Sequence, residues 1–115
     1  MEKDYADWND EFTDWPHGAC FLAVFYRMTP GEWTTRGFTG FRRGCDDLDY
    51  VEILFVEFEG HIVVLQHYPR ASVLGTNLFI NMNINDKFEY ATRFTNAHHL
   101  QRRVIWQSPA LHKIT

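Results

Sequence analysis

Two apolar runs around one dipeptide constrain this chain most. Residues 50–58 and 61–68 are rich in Val, Ile, Leu and Phe, and they flank Glu59-Gly60. A two-residue link with Gly second is the signature of a tight β-hairpin, because the matching turn needs positive φ there. Such a turn also sets which residues face each other across the strands. Both runs are apolar on both faces at their centres: Ile53, Leu54, Phe55 and Val56 on one, Ile62, Val63, Val64 and Leu65 on the other. That pattern predicts central strands covered on two sides, and Pro69 ends the second of them.

The remaining segments are read against this hairpin. Residues 19–28 are apolar on both faces and predict another central strand, with Cys20 as a small buried hydrophobe. Thr29-Pro30-Gly31-Glu32 reads as a turn, and residues 33–43 as a half-exposed strand in which Gly37 and Gly40 suggest a bulge or a close approach of another backbone. The run from Gly44 to Asp47 reads as a loop. In residues 77–84, Leu78, Ile80, Met82 and Ile84 alternate with Asn77, Phe79, Asn81 and Asn83, which predicts a strand with one wet face. Residues 88–94 alternate as Phe88, Tyr90, Thr92 and Phe94 against Glu89, Ala91 and Arg93, and predict one more strand. Residues 95–103 fit a helical turn or a wide loop, and Val104-Ile105-Trp106 a last strand before Pro109.

The N-terminal stretch has a different period. Tyr5, Trp8, Phe12 and Trp15 recur at three, four and three, the spacing of one helix face. Asp4 suits the N-cap, acids fill the other sides, and Pro16 and Gly18 stop the run. The expected fold class is therefore α+β, mainly antiparallel β: a short N-terminal helix on a six- to seven-stranded curved sheet or barrel. At 115 residues, with 45% of them hydrophobic, one domain spanning 1–115 is expected.

Charge and composition narrow the function. The net charge is −4, but residues 1–60 hold thirteen acids and five bases while the rest hold two acids and six bases. An acidic chain repels nucleic-acid phosphates and favours basic proteins, so no direct nucleic-acid contact is expected. Arg70, Arg93, Arg102 and Arg103 near Tyr68, Tyr90 and Trp106 have the residue types of a single-strand binder, but the overall charge has the wrong sign. No apolar run reaches the length of a membrane span, and the acidic start is unlike a secretory leader, so a cytoplasmic protein is expected. Two cysteines, Cys20 and Cys45, do not make a disulfide framework.

No phosphate loop, nucleophile elbow, paired CxxC or HExxH is present. His61 and His67 share a strand face but stand roughly 20 Å apart, too far to share a metal. His98 and His99 point apart in either a strand or a helix. No metal or cofactor is expected. Asp46, Asp47 and Asp49 lack the bidentate Glu that would end a calcium loop.

What remains is an acidic, aromatic surface. Trp is frequent at binding hot spots, and acids around it steer basic partners. The primary expectation is a binding module that inhibits a basic protein, such as a toxin or nuclease, in the manner of an immunity, antitoxin or anti-defence protein, as a monomer or homodimer. Its contact residues would be Asp7, Trp8, Asp10, Glu11, Asp14, Trp15, Asp46, Asp47 and Asp49. The alternative is a barrel-like protein binding or transforming an apolar small molecule, with His67, Tyr68 and Tyr90 as polar handles. A further alternative is a structural subunit docking through the aromatic helix.

Overall fold

The computed structural model describes residues 10–11, 20–45 and 48–112. The predicted hairpin is its centre. Strands β4 (Tyr50–Phe58) and β5 (His61–His67) pair antiparallel from Phe58 opposite His61 to Glu52 opposite His67. Glu59 and Gly60 both take positive φ, 52° and 81°. That is the backbone of a turn whose twist matches its strands. Arg93 holds the Glu59 carboxylate through both oxygens, at 2.8 Å from Nε to Oε2 and 2.7 Å from Nη2 to Oε1, which anchors the turn to the helix above it.

Five further strands extend the pair. On one side β3 (Arg42–Cys45) runs antiparallel to β4, and β1 (Asp10–Glu11) runs parallel to β3. On the other side lie β6 (Thr76–Asn81), β2 (Cys20–Tyr26) and β7 (Val104–Gln107), each antiparallel to its neighbour. The order is β1-β3-β4-β5-β6-β2-β7. The fold is α+β and mainly antiparallel, as the sequence predicts. Among the described residues the sheet stays open, with β1 and β7 at its ends, and encloses no barrel lumen.

Two segments predicted as strand are helix. Residues 33–43 do not form one strand: α1 (Pro30–Thr35) takes their start and β3 their end. The residues read as a turn are a capping box. Thr29 Oγ1 accepts from Glu32 N at 3.4 Å, and Glu32 Oε1 accepts from Thr29 N at 3.3 Å, with Pro30 opening the helix. Gly37 and Gly40 take φ of 94° and 93° in the loop that follows, so they turn the chain and do not bulge a strand.

Residues 88–94 lie in α2 (Lys87–Ala97). Strand β2 runs antiparallel to both β6 and β7, so β6 and β7 are parallel to each other. Parallel strands cannot be joined by a hairpin and need a crossover, which α2 provides. Tyr90, Ala91, Phe94 and Thr95 form its buried face at helical spacing, while Phe88 is 39% exposed. Two short 3₁₀ turns, Gln101–Arg103 and Pro109–His112, flank β7.

The helix predicted near residues 4–15 lies outside the described residues except at 10–11. There the backbone pairs with β3, Asp10 with Gly44 and Glu11 with Cys45, so a continuous helix does not run through these two positions. Gly44 and Cys45, read as a loop, are the end of β3.

The main core lies between the sheet and the two helices. Trp33 and Phe94 bring α1 and α2 together over Tyr26, Val63, Leu65, Leu78 and Ile80. Trp33 packs edge-on to Tyr26 at 5.9 Å and to Phe38 at 5.1 Å. Its Nε1–H donates to Thr76 Oγ1 at 2.9 Å, and Thr76 donates on to Met28 O at 2.7 Å. The other sheet face buries Val51, Ile53 and Val64, with Phe55, Tyr68 and Phe79 packed against them. Two clusters back to back explain why β4 and β5 are apolar on both faces.

Candidate functional site

Three places in the fold gather the residues singled out by sequence. The first is the β1 edge of the sheet. Because β1 runs parallel to β3, Asp10-Glu11 lies alongside Gly44-Cys45, and β3 leads directly towards Asp49. The first acidic stretch, in its described part, therefore pairs with the strand that precedes the second in sequence. Asp49 accepts from Tyr50 N at 2.7 Å and lies 3.4 Å from Arg70. Asp7, Trp8, Asp14, Trp15, Asp46 and Asp47 lie outside the described residues.

The ion pairs show how the charge asymmetry of the sequence resolves. Arg70 pairs with Asp49, Arg93 with Glu59 and Arg103 with Glu32, the last at 2.6 Å. Each joins a base of the second half to an acid of the first. Hydrogen bonding by Arg93 holds the Glu59 carboxyl below its usual range. Three of the six bases of residues 61–115 are thus drawn onto Asp49, Glu59 and Glu32. Six acids and one base lie in residues 1–14, where the excess negative charge is concentrated.

The second place is a cleft of about 560 Å³ beside α1. Thr34 of α1, Phe41, Arg43 of β3, Glu52 of β4, His67 of β5 and Leu74 line it. Arg43 faces Glu52 in the β3–β4 register, and Glu52 faces His67 in the β4–β5 register. The three side chains make one polar row across three adjacent strands. Glu52 is 3% exposed and His67 2%. Arg43 Nε lies 3.8 Å from Glu52 Oε2, and the arginine side chain is 64% exposed. His67 Nδ1 lies 2.7 Å from Gly75 O. A carbonyl only accepts, so Nδ1 carries the proton, which leaves Nε2 as an acceptor in the neutral ring.

Of the three residues read as pocket handles, only His67 lines this cleft. Tyr68 packs in the cluster on the opposite sheet face. Tyr90 lies on α2 and donates its hydroxyl to Phe58 O at 2.6 Å. Sequence reasoning passed over Glu52 and Arg43. Glu52 was within reach: counting back from the Glu59-Gly60 turn places it opposite His67.

The third place is an aromatic nest around His98. Its ring lies 4.7 Å from both Phe38 and Phe94. Burial, aided by Arg36 and His99, lowers its pKa from the ordinary value. The pairing of Arg36 Nη1 with the backbone carbonyl of His98 at 2.5 Å ties the end of α1 to the end of α2. The nest is packing, with the imidazole edge-on to both phenyl rings. Among the described residues no group of three or more His, Cys, Asp or Glu is placed to hold a metal ion. No helix among them is long and apolar enough to cross a membrane. Cys20 and Cys45 are free thiols, both half-buried, and burial pushes the Cys20 thiol up and away from reactive thiolate. Comparison with known proteins returns no matching family, no matching curated protein and no matching solved structure.

Proposed function

We propose that this chain is a small acidic binding module that inhibits a basic partner protein, in the manner of an immunity, antitoxin or anti-defence protein. The observation that carries the reading is the parallel β1–β3 pair, which sets Asp10-Glu11 beside the strand leading to the Asp46–Asp49 segment. Asp10-Glu11 is thereby brought beside a strand that the second acidic stretch follows in sequence. The ion pairs of Arg93 and Arg103 support it, because they set two bases of the second half against acids outside that edge.

The mechanism is occlusion without turnover. The acidic edge steers a basic surface inward, and a negative potential of this kind raises association rates by orders of magnitude at low salt. Trp8 and Trp15, in the same acidic stretch, supply the apolar anchors that hot spots use. A surface evolved for phosphate backbones, as in a nuclease, is thereby blocked. The module acts in the cytoplasm as a monomer or homodimer, without cofactor, metal or direct nucleic-acid contact.

The test is charge reversal, with association measured against the basic protein that the chain retrieves from its native lysate. The double variant Asp10→Lys, Glu11→Lys is expected to slow association by about tenfold or more at low salt. It should also flatten the salt dependence. Association indifferent both to these charges and to salt overturns the reading.

A further inference from the structure

Strand β7 ends the sheet on the side opposite β1, and among the described residues it pairs with β2 alone. Two bonds fix which of its backbone groups face outward. Arg27 N donates to Arg103 O at 2.6 Å, and Ser108 N donates to Ala23 O at 2.8 Å, so Arg103 and Ser108 turn their backbone towards β2. Neighbouring residues of an antiparallel strand turn their N–H and C=O to opposite sides. Val104 and Gln107 therefore turn theirs to the open side.

Between them the strand bulges. Val104 faces Tyr26 and Trp106 faces Phe25, which leaves Ile105 as the extra residue. Val104 packs with Tyr26 in the core under the helices, so alternation puts Ile105 on the other sheet face. Trp106 lies one step along β2 from that core pair, opposite Phe25, and so shares the face of Ile105. Bulges re-aim side chains at sheet edges, and this one sets two apolar side chains next to each other. They are 49% and 42% exposed. Edge strands are commonly guarded by a charge or a Pro, and Val104-Ile105-Trp106-Gln107 has neither.

The charges beside β7 decide the occupant. Arg27 and Arg102 are exposed at its start, next to Arg103. Arg103 is paired with Glu32, but among the described residues Arg27 and Arg102 have no ion pair. A second β7 does not complement them, because residues 101–111 hold no acid. A nucleic acid would meet a chain of net charge −4 and leave the outward amide edge unused. An open amide edge with apolar side chains beside it is the arrangement that takes an added strand. We propose that β7 receives an extended, acidic segment of a partner protein as a further strand: its backbone on Val104 and Gln107, an apolar side chain on Ile105 and Trp106, and its carboxylates on Arg27 and Arg102.

The experiment is a titration of the full chain, followed by amide and indole resonances in two-dimensional NMR at low salt. The probes are short capped peptides of alternating Thr and Val that end in Asp-Asp or in Lys-Lys, since an antiparallel strand brings its C-terminal end to the arginines. A short oligothymidylate is the third probe. The proposal expects saturable shifts at Val104, Ile105, Trp106 and Gln107 with the acidic peptide, and binding about tenfold tighter than for the basic one. Gln107→Pro removes an outward N–H and costs β2 no bond, so it should abolish these shifts while the rest of the spectrum stays in place. The double variant Arg27→Glu, Arg102→Glu should reverse the preference between the peptides, and it keeps the test available if Gln107→Pro does not fold. No saturable shift, equal binding of the two peptides, a preference that survives the double variant, or shifts that survive in folded Gln107→Pro would each overturn it. So would tighter binding of the oligothymidylate, or the same shifts appearing with protein concentration alone, as a second copy would give.

Discussion

Replacing Gly75 by Ala tests the packing of the sheet at its tightest point. Gly75 precedes β6, where the chain passes against β2. A Cβ there would stand 2.3 Å from Phe25 Cζ, 2.7 Å from Phe25 Cε1 and 2.6 Å from Tyr26 O. The phenyl ring can swing aside, but the Tyr26 carbonyl belongs to the backbone of β2 and is fixed by pairing on both sides. Ordinary contact would require β2 and the start of β6 to part by nearly 1 Å, in an interior with little free volume. Overpacking of this kind costs about 1–3 kcal/mol, and a backbone clash belongs at the upper end, about 2–3 kcal/mol. At roughly 4 °C per kcal/mol for a domain near this size, the melting temperature should fall by about 8–12 °C. The assay is thermal melting followed by circular dichroism, with urea unfolding beside it. Gly37→Ala is the control: that site has φ of 94° but nothing within 4 Å, so it carries backbone strain alone, about 1 kcal/mol. If Gly75→Ala melts within about 2 °C of the parent, or Gly37→Ala is the more damaging, the close approach of the strands is refuted, since overpacking would show as several degrees.

Three further outcomes follow from the core. Trp33→Phe keeps most of the apolar contact but removes the Nε1–H that Thr76 Oγ1 accepts, so urea unfolding should show a loss of about 1–2 kcal/mol; an unchanged midpoint would contradict that bond. His98 has a folded pKa below its ordinary 6.5, so the folded state binds fewer protons there than the unfolded chain. Its contribution is complete above pH 6.5 and is lost as pH falls through the folded value, so His98→Phe should reduce the decline in stability between neutral and acid pH, and equal declines would refute it. Tyr90 is pushed up to about 12, first by burial and then by Glu59. The folded state holds that proton longer than the unfolded chain, so stability should fall as pH rises from 10 towards 12, and Tyr90→Phe should lessen the fall in an alkaline unfolding series.

The parts of this fold that could be read from sequence are those whose signals are local. Glu59-Gly60 fixes a turn type and with it the register of β4 and β5. Leu78 and Ile80, fully buried, alternate with the half-buried Asn77 and Asn81 in β6, and Val104 to Trp106 forms a strand as its branched and aromatic residues imply. The misread parts depend on distant partners. The alternation around Tyr90 and Phe94 fits two periods, and what selects helix is the parallel relation of β6 and β7 across β2, which no short window contains. The start of α1 did carry a local signal, the Thr29-to-Glu32 capping box, but Trp33, Thr34 and Thr35 have the propensities of a strand, and burial of Trp33 under α1 overrides them. The site follows the same division. His67 was visible as a polar residue ending an apolar strand, Glu52 becomes visible once the hairpin register is applied, and Arg43 was hidden because β3 was misplaced. The acidity of both stretches was plain, while the pairing of β1 with β3 is a contact between distant segments.

The central claim is that the acidic edge formed around β1 and β3 recruits a basic protein. Stopped-flow association of the purified chain with the basic protein it retrieves from its native lysate, measured from low to high ionic strength, tests this most directly. The account predicts a rate that falls steeply with salt, from about 10⁸ M⁻¹s⁻¹ towards the 10⁵–10⁶ M⁻¹s⁻¹ of unsteered association. A rate that stays flat across the salt series, or the absence of binding at low salt, would contradict it.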